Sequence, residues 1–367
     1  MEFHLNEVQS ALKDSSIEVL RDICTPQRNL DMWSRGVAID EDLWTSLASL
    51  GWFGVCVPER HGGLGLGAAE LCLIAEQIGY VSAIGPIVPT LAAGAIIGSA
   101  PEGSSMAKLL ELIAQGERRI AIYVKHDAPI LGSMRNSAPQ VNWLNDSATV
   151  SGTWPFMPWA ESADTLLIPV LGPRGQDVIA TIGSDSPGLS FQTLSNIDQG
   201  TRWSHVSLMN TEVSQGDWLE ISGTRASDLN AISSAAEILG ACRRCLDLSL
   251  EYAGVRSQFG KLIGTFQAVR HHCADMYVGI ENASSVIAHA AAAVDAGLTT
   301  ASSSAAVAAI TAHQVGIKVW TNALQVHGGI GFTWECELHL CIKRIMALQG
   351  GMGSLDHHSE MLLKTNF

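Results

Sequence analysis

The segment YAGVRSQFGKLIGTFQAVRHHCADM, residues 252–276, contains residue types that suit a phosphate-bearing nucleotide. Arg256 precedes Phe259 by three residues, at a break in the helical pattern marked by Gly260. A guanidinium can bind pyrophosphate oxygens through paired hydrogen bonds, and an aromatic face can lie beside adenine. The alternative is structural: an arginine that caps a helix end above a core phenylalanine. Taken alone, the R-x-x-F-G pattern leaves both interpretations open.

A second segment, QVHGGIGFTWECEL at 325–338, ends a long helical pattern with three closely spaced glycines. Gly328, Gly329 and Gly331 free the backbone for close approach to a ligand. Glycines that follow a helix are also common as simple helix caps. This pattern therefore has the same two interpretations as the first.

These segments must be positioned by larger elements, and the chain divides into three zones of different texture. Residues 1–117 show helical apolar periodicity, interrupted by the glycine-rich turn VPERHGGLGLG. Residues 118–222 contain short β-rich runs separated by turn residues: RRIAIYV, SATVSGTWPF, DTLLIPV, QDVIATI and LSFQTL. Residues 223–367 return to long helical segments that begin near 228, 264 and 302, which predicts a helix bundle.

Composition limits the possible partners. The chain has 367 residues, 47% hydrophobic and 16% charged, so we expect some apolar surface to be covered by other chains in an oligomer. A net charge of −14 disfavours nucleic acid or an anionic membrane as the main partner. The N-terminus lacks a secretory pattern, and no uncharged apolar run approaches roughly 18 residues. We expect a soluble, cytoplasmic protein.

Cysteine and histidine spacing gives little support for a metal site. The eight cysteines are scattered, except for a C-R-R-C motif at 242–245 that lies within a helical pattern. No second ligand pair follows at zinc spacing, and the paired histidines at 271–272 and 357–358 are adjacent rather than four apart. Reduced core cysteines are the favoured interpretation, and we predict no metal.

Together, in this order and spacing, the two segments resemble the acyl-CoA dehydrogenase family, as does the N-terminal stretch LGWFGVCVPERHGGLGLGAAELCLIAEQIG. The resemblance covers nearly the whole chain and implies an α+β fold: an N-terminal helical domain, a middle β-barrel or sandwich domain and a C-terminal four-helix bundle. It also implies FAD bound across a subunit interface, with the flavin ring on one subunit's β domain and the ADP half on its neighbour's bundle. The residues implied at the ADP half are Arg256, Phe259, Ile263, Gln325, Gly328 and Gly329.

The family reaction is α,β-dehydrogenation of an acyl-CoA thioester, with electrons passed to electron-transfer flavoprotein or a similar acceptor. A carboxylate removes the α proton while the β hydrogen leaves as hydride. Hydrogen bonds to the thioester carbonyl stabilise the developing enolate. The resemblance therefore requires a positioned Glu or Asp, desolvated so that its pKa approaches the working pH.

That base is missing from both positions where the family places it. The family's Y-E-G-T-x-Q-like segment aligns with QGGMGS, so Gly350 stands at the glutamate position, and Met352 and Ser354 replace the Thr and Gln. Other members carry the base 26 residues before the motif arginine, which here is Asn230.

Two acidic neighbours of Asn230 are candidates for a relocated base. Asp228 and Glu237 lie two residues before and seven residues after it, so they face other directions on a helix. The alternative is that each is a solvated or interface carboxylate.

The flavin-ring region of the β domain also departs from the family pattern. The T-E-P-x-x-G-S-D-like loop corresponds to YVKHDAPILGSMRNS at 123–137. The residues at the W-I-T-like positions are Phe156, Met157 and Pro158. Pro158 lacks both a hydroxyl and a backbone N–H donor. Trp154 and Trp159 could stack on a ligand, although core or interface packing is the favoured interpretation.

The losses concern this subunit's own ring pocket and base, whereas the ADP-half residues remain. This combination is typical of a non-catalytic subunit in an α2β2 acyl-CoA dehydrogenase, in which a sister subunit supplies the glutamate and binds most of the acyl-CoA. The resemblance implies bulky thioesters such as steroid side-chain CoA esters. Two alternatives stay open: an active homomeric enzyme with an unrecognised base, and a flavin-free structural paralogue.

Overall fold

The computed structural model describes residues 5–124, 139–145, 147–221 and 224–366, with side chains described as far as residue 363. Its α-helices are α1 (Glu7–Ile23), α2 (Pro26–Ser34), α3 (Glu41–Ser49), α4 (Ala68–Val81), α5 (Ile87–Ile97), α6 (Ser105–Ala114), α7 (Arg225–Val255), α8 (Gln267–Asp295), α9 (Ala301–His327), α10 (Leu338–Gly351) and α11 (Leu355–Asn366). Its strands are β1 (Ile120–Ile122), β2 (Gln140–Leu144), β3 (Ser147–Pro158), β4 (Thr165–Leu171), β5 (Asp177–Gly183), β6 (Leu189–Leu194), β7 (Trp203–Val213), β8 (Trp218–Glu220), β9 (Ser257–Gln258) and β10 (Lys261–Leu262). The helix, sheet and helix order confirms the predicted α+β class.

By contact, the chain forms two compact units. One comprises Met1–Asp31, Cys72–Ala83 and Ala231–Phe367 and is helical, whereas the other comprises Met32–Leu71 and Ile84–Asn230 and contains the large sheets. The predicted domain boundaries near residues 117 and 222 stay a prediction.

In the helical unit, small residues allow helices to pack closely. The facing sides of α8 and α9 bury many alanines, among them Ala290, Ala291, Ala305, Ala308 and Ala309. Where α4 meets α7, a Cβ at Gly240 would lie 1.7 Å from the Glu76 carbonyl oxygen, and a Cβ at Gly79 would lie 1.9 Å from that of Glu237. Such distances are far inside van der Waals contact, so glycine is required at this crossing.

Ion pairs connect the helices of this unit. Arg243 on α7 donates to Glu76 on α4 and to Glu281 on α8, each at 2.7 Å. Arg344 on α10 is 1% exposed and donates to Glu237 on α7 at 2.8 Å. The same guanidinium also donates to the carbonyl of Ala83 at 2.9 Å. These contacts fix the mutual positions of α4, α7, α8 and α10.

The other unit contains two four-stranded sheets that pack on each other. One sheet has the order β1-β4-β5-β8, with β1 parallel to β4 and the other pairs antiparallel, and the second has the antiparallel order β2-β3-β7-β6. Within the described ranges each sheet has two edge strands, so the sheets form a sandwich and not a closed barrel. Alternating burial along β3 and β7 places Val150, Trp154, Val206 and Leu208 on the inner side.

The described helices include none with both the length and the apolarity needed to cross a bilayer. All eight cysteines are free thiols, and seven of them are buried. Burial raises the pKa of the Cys242 thiol, which keeps it protonated and unreactive. Among the described residues, no group of three or more His, Cys, Asp or Glu side chains is arranged to hold a metal ion.

Candidate functional site

The R-x-x-F-G segment folds as a tight hairpin directly after α7. Strands β9 and β10 pair antiparallel, and the turn between them consists of Phe259 and Gly260. Both turn residues have positive φ angles, +52° and +77°. This is the backbone of a type I′ turn, in which glycine and asparagine are favoured and phenylalanine is not. The Ile263 N–H closes the hairpin by donating to the Arg256 carbonyl at 2.8 Å.

Phe259 is both strained and exposed. Its side chain is 92% exposed, and its described ring contact is an edge-on approach to Phe266 at 6.2 Å. A non-glycine residue at positive φ costs on the order of 1 kcal/mol. A large aromatic residue that gains no burial in return for that cost indicates a surface that another molecule covers.

Positive charge concentrates around this hairpin, although the chain as a whole is acidic. Arg256 is exposed at the end of α7 and forms no ion pair among the described residues. The Lys261 ammonium lies 4.6 Å from the Phe266 ring centroid, and the Arg270 guanidinium donates to the Gly264 carbonyl at 2.8 Å. Two further cations, Lys261 on the hairpin and Arg270 on the first turn of α8, thus lie near Arg256, and together the three suit phosphate groups.

The second predicted segment lies at the C-terminal end of α9. Gln325 is exposed on the last turn of the helix, and Gly328 at φ +63° takes the chain out of it. A Cβ at Gly328 or Gly329 would have no heavy atom within 4 Å. Gly329 also has no positive φ, so the described chain itself does not require glycine there. Close approach by a ligand to the backbone would require glycine at this position.

The two segments are brought together by an aromatic stack that sequence reasoning missed. Tyr252, one turn before Arg256, stacks on His327, the residue before Gly328, with ring centroids 4.8 Å apart and planes 13° apart. Of the predicted cofactor residues, five are exposed in these two segments and Ile263 is buried at 8% exposure, so the expected ligand contact of Ile263 stays a prediction. No local pattern in the sequence signals the stack of Tyr252 on His327, because the two residues are far apart in the chain.

This arrangement fits the ADP half of FAD. An exposed guanidinium with two neighbouring cations suits a pyrophosphate, and an exposed aromatic ring suits adenine. Open space over Gly328 and Gly329 leaves room for a ligand to approach the backbone. The residues that would hold the group all lie in one compact unit, so this chain can present the site as a preformed surface.

The position of the expected base is a helix end without a carboxylate. Gly350 is exposed in the last turn of α10. The following residues are held by two buried histidines: His313 contacts the Gly353 carbonyl at 3.1 Å, and His358 contacts the Met352 carbonyl at 2.9 Å. Burial lowers the pKa of both histidines, that of His358 to about 4. These neutral rings donate their Nε2 protons and hold the segment in place.

The two acidic neighbours of Asn230 differ as candidates for the base. Glu237 is 7% exposed and accepts from the buried Arg344, so its carboxylate serves helix packing. Asp228, also 7% exposed, lies in the first turn of α7 two residues before Asn230. The geometry therefore favours a structural role for Glu237 and leaves Asp228 to be tested.

The W-I-T-like position of the β domain is a bulge. Pairing between β3 and β7 shifts register between Trp154 and Met157, and Phe156 has φ +56°. Its ring is half exposed and approaches the His205 ring edge-on at 5.1 Å. Trp154 and Trp159 are buried, in agreement with core packing. Most of the loop at 123–137 lies outside the described residues.

Comparison with known proteins gives the family. The model of the acyl-CoA dehydrogenase N-terminal domain matches residues 6–117, and that of the acyl-CoA dehydrogenase C-terminal domain matches residues 224–365. Acyl-CoA dehydrogenase FadE34 of Mycobacterium tuberculosis is 32% identical over 326 residues, which span 89% of this chain. The match covers 41% of that relative's length.

Solved structures share the fold over almost the whole chain. One of them is a variant of the Tcur3481-Tcur3483 steroid ACAD, where ACAD abbreviates acyl-CoA dehydrogenase. It aligns with a TM-score of 0.86 and 27% identity over 98% of this chain and 97% of that one. A chain of the ChsE4-ChsE5 complex from Mycobacterium tuberculosis aligns with a TM-score of 0.88 and 22% identity over 99% and 98%, which shows the fold alone. From these matches and the two domain models, the chain belongs to the acyl-CoA dehydrogenase family.

Proposed function

We propose that this chain is the accessory subunit of a heteromeric FAD-dependent acyl-CoA dehydrogenase. It contributes the ADP-half site for a FAD whose ring is held by a sister subunit, and that sister carries the catalytic glutamate. The observation that carries the proposal is the contrast between two regions. Arg256 and Phe259 stand exposed beside open glycines, whereas Gly350 and Asn230 occupy the positions of the base.

When bound, FAD supplies the hydride acceptor for α,β-dehydrogenation of the acyl thioester. Arg256 would hold the pyrophosphate through charge-assisted hydrogen bonds, and Phe259 would cover the adenine. Gln325 and the backbone at Gly328 and Gly329 complete the cradle. Because none of these groups moves a proton, the chain's role is to bind and orient, and the sister subunit performs the acid-base step.

The α2β2 arrangement holds two FAD molecules, one for each sister subunit. A bulky acyl group such as a steroid side-chain CoA ester is the proposed substrate class, supported by the likeness to a structure described as a steroid ACAD. The electron acceptor is proposed to be electron-transfer flavoprotein or a similar carrier. The high apolar fraction of the chain supports burial against partner chains.

The test is the loss of FAD from the purified complex after Arg256→Ala. We expect at least tenfold weaker FAD retention, because a charge-assisted pair contributes about 1.5–3 kcal/mol. The matched control is Arg174→Ala, which removes an exposed arginine paired with Glu220 on the sheet unit. Unchanged FAD retention in Arg256→Ala would refute the proposal and favour a flavin-free paralogue. Asp228→Asn tests the homomeric alternative, which requires that variant to lose turnover.

A further inference from the structure

We propose that Tyr252 and His327 are positioning residues that set the distance between the two halves of the nucleotide site. The inference rests on the proposed function and assigns a role to two residues outside the expected ligand contacts. Tyr252 lies on α7, and the Arg256 N–H donates to its carbonyl at 2.9 Å. His327 is the last residue of α9, directly before Gly328. The stack therefore joins the arginine hairpin to the glycine turn.

The histidine ring is fixed on its own helix. Its Nδ1 lies 2.8 Å from the Ala323 carbonyl, and since a carbonyl can only accept, Nδ1 carries the proton. His327 is 7% exposed, and its burial lowers the pKa, so that the ring is neutral near pH 7. A Cβ at Gly331 would lie 3.0 Å from the His327 Cβ, so the following chain turns closely around the ring.

The stack lies between two surfaces that are otherwise exposed. Arg256, Phe259 and Gln325 are solvent-exposed, and the space above Gly328 and Gly329 is open. Exposed loops move readily unless buried contacts at their base hold them. A half-buried tyrosine and a buried imidazole at the base of both loops supply that restraint. An aromatic pair contributes about 0.5–1.5 kcal/mol beyond its buried area, enough to favour one spacing.

The role differs from simple packing because it predicts a coupled effect on ligand affinity. If the two rings act only as a pair, removing either one releases the same restraint. Loss of the second ring then adds little, so the double variant resembles each single variant in ADP affinity. Two independent core residues would instead give additive losses of stability and no specific loss of affinity.

The experiment measures, by calorimetry, how tightly the full chain binds ADP, the nucleotide half of FAD. Where the sister chain copurifies, the complex of the two chains is titrated. We expect Tyr252→Ala and His327→Ala each to weaken ADP binding about tenfold, and the double variant to lose no more than twofold beyond either. Tyr252→Phe keeps the ring and is expected to stay within twofold of the wild type. Tyr252→Leu keeps apolar volume without a ring and is expected to behave like Tyr252→Ala, which covers the case that Tyr252→Ala fails to fold.

The control is Tyr277→Ala, since Tyr277 is 57% exposed on α8 and outside the site. Arg256→Ala separates this inference from the function on which it rests. If Arg256→Ala weakens ADP binding but neither Tyr252→Leu nor His327→Ala does, the positioning role is refuted and the proposed function stands. If Arg256→Ala also leaves ADP binding unchanged, or the wild type binds no ADP, both are refuted.

Discussion

The buried ion pair between Glu237 and Arg344 makes it possible to test whether Glu237 is a structural or a catalytic carboxylate. Glu237→Gln preserves shape but removes the negative charge beside a guanidinium that is 1% exposed. Breaking a buried pair by removing one partner costs about 3–5 kcal/mol. Arg344 keeps its bond to the Ala83 carbonyl at 2.9 Å, so we expect the lower end, about 3 kcal/mol of the free energy of unfolding.

Differential scanning calorimetry measures this loss. For a unit of this size each kcal/mol shifts Tm by roughly 2–4 °C, so the helical unit is expected to melt about 6–12 °C lower. The matched control is Glu281→Gln, because Glu281 pairs with Arg243 but its side chain is 46% exposed. That pair is expected to contribute less than about 1 kcal/mol. The double variant Glu237→Leu with Arg344→Met is expected to recover most of the stability, since no buried charge remains.

The activity of the assembled enzyme tests the alternative, that Glu237 is the catalytic base. We expect Glu237→Gln to keep turnover within twofold of the wild type, measured below its melting temperature. A catalytic base contributes about 10²–10⁴-fold to the rate. A variant with unchanged Tm and turnover reduced more than a hundredfold would show that Glu237 is the base, and the structural interpretation would be wrong.

Three further predictions concern the helix end at Gly350, the hairpin turn and the buried His358. Gly350→Glu has room for its side chain, because a Cβ there meets no heavy atom within 4 Å. We expect this variant to raise Tm slightly by removing a helical glycine, while the isolated chain stays inactive. Turnover by that variant alone would contradict the proposal that this chain has no working ring pocket of its own. Phe259→Gly relieves a residue at φ +52° and is expected to stabilise the chain by up to about 1 kcal/mol while weakening FAD retention, and equal retention would contradict the role of the ring. The pKa of His358 is lowered to about 4 in the folded chain. As pH falls below about 6.5, the histidine is protonated in the unfolded chain but stays neutral in the folded chain. The free energy of unfolding is therefore expected to drop by up to about 3 kcal/mol between pH 6.5 and 4. His358→Gln should flatten that pH profile in urea titrations, and an unchanged slope would be the contrary result.

Much of the fold is readable from the sequence because its signals are local. The three long helices α7, α8 and α9 begin within a few residues of their predicted starts, since each has a continuous 3.6-residue apolar period. Strands with β-branched runs, such as β4 and β5, were also predictable. β7 was not, because its sequence WSHVSLMNTEV mixes polar residues into the alternation and its order depends on pairing with β3 and β6.

The sequence predicts which residues form the candidate site, an assignment that stays a prediction, but it does not predict their geometry. Arg256, Phe259 and the glycines are adjacent in motifs, so their types and spacing could be read directly. The stack of Tyr252 on His327 joins residues far apart in the chain, and no local pattern signals it. The same holds for Glu237, whose partner Arg344 comes more than a hundred residues later. Long-range pairs of this kind follow from tertiary packing.

Flavin content with and without the sister chain tests the central proposal most directly. The chain is expressed alone and together with an acyl-CoA dehydrogenase subunit that carries the active-site glutamate, and the flavin-to-protein ratio and turnover are measured for both. The account predicts a flavin-poor, inactive chain alone and an active complex with two FAD molecules per α2β2 assembly. Full flavin occupancy and turnover by the chain alone would contradict it.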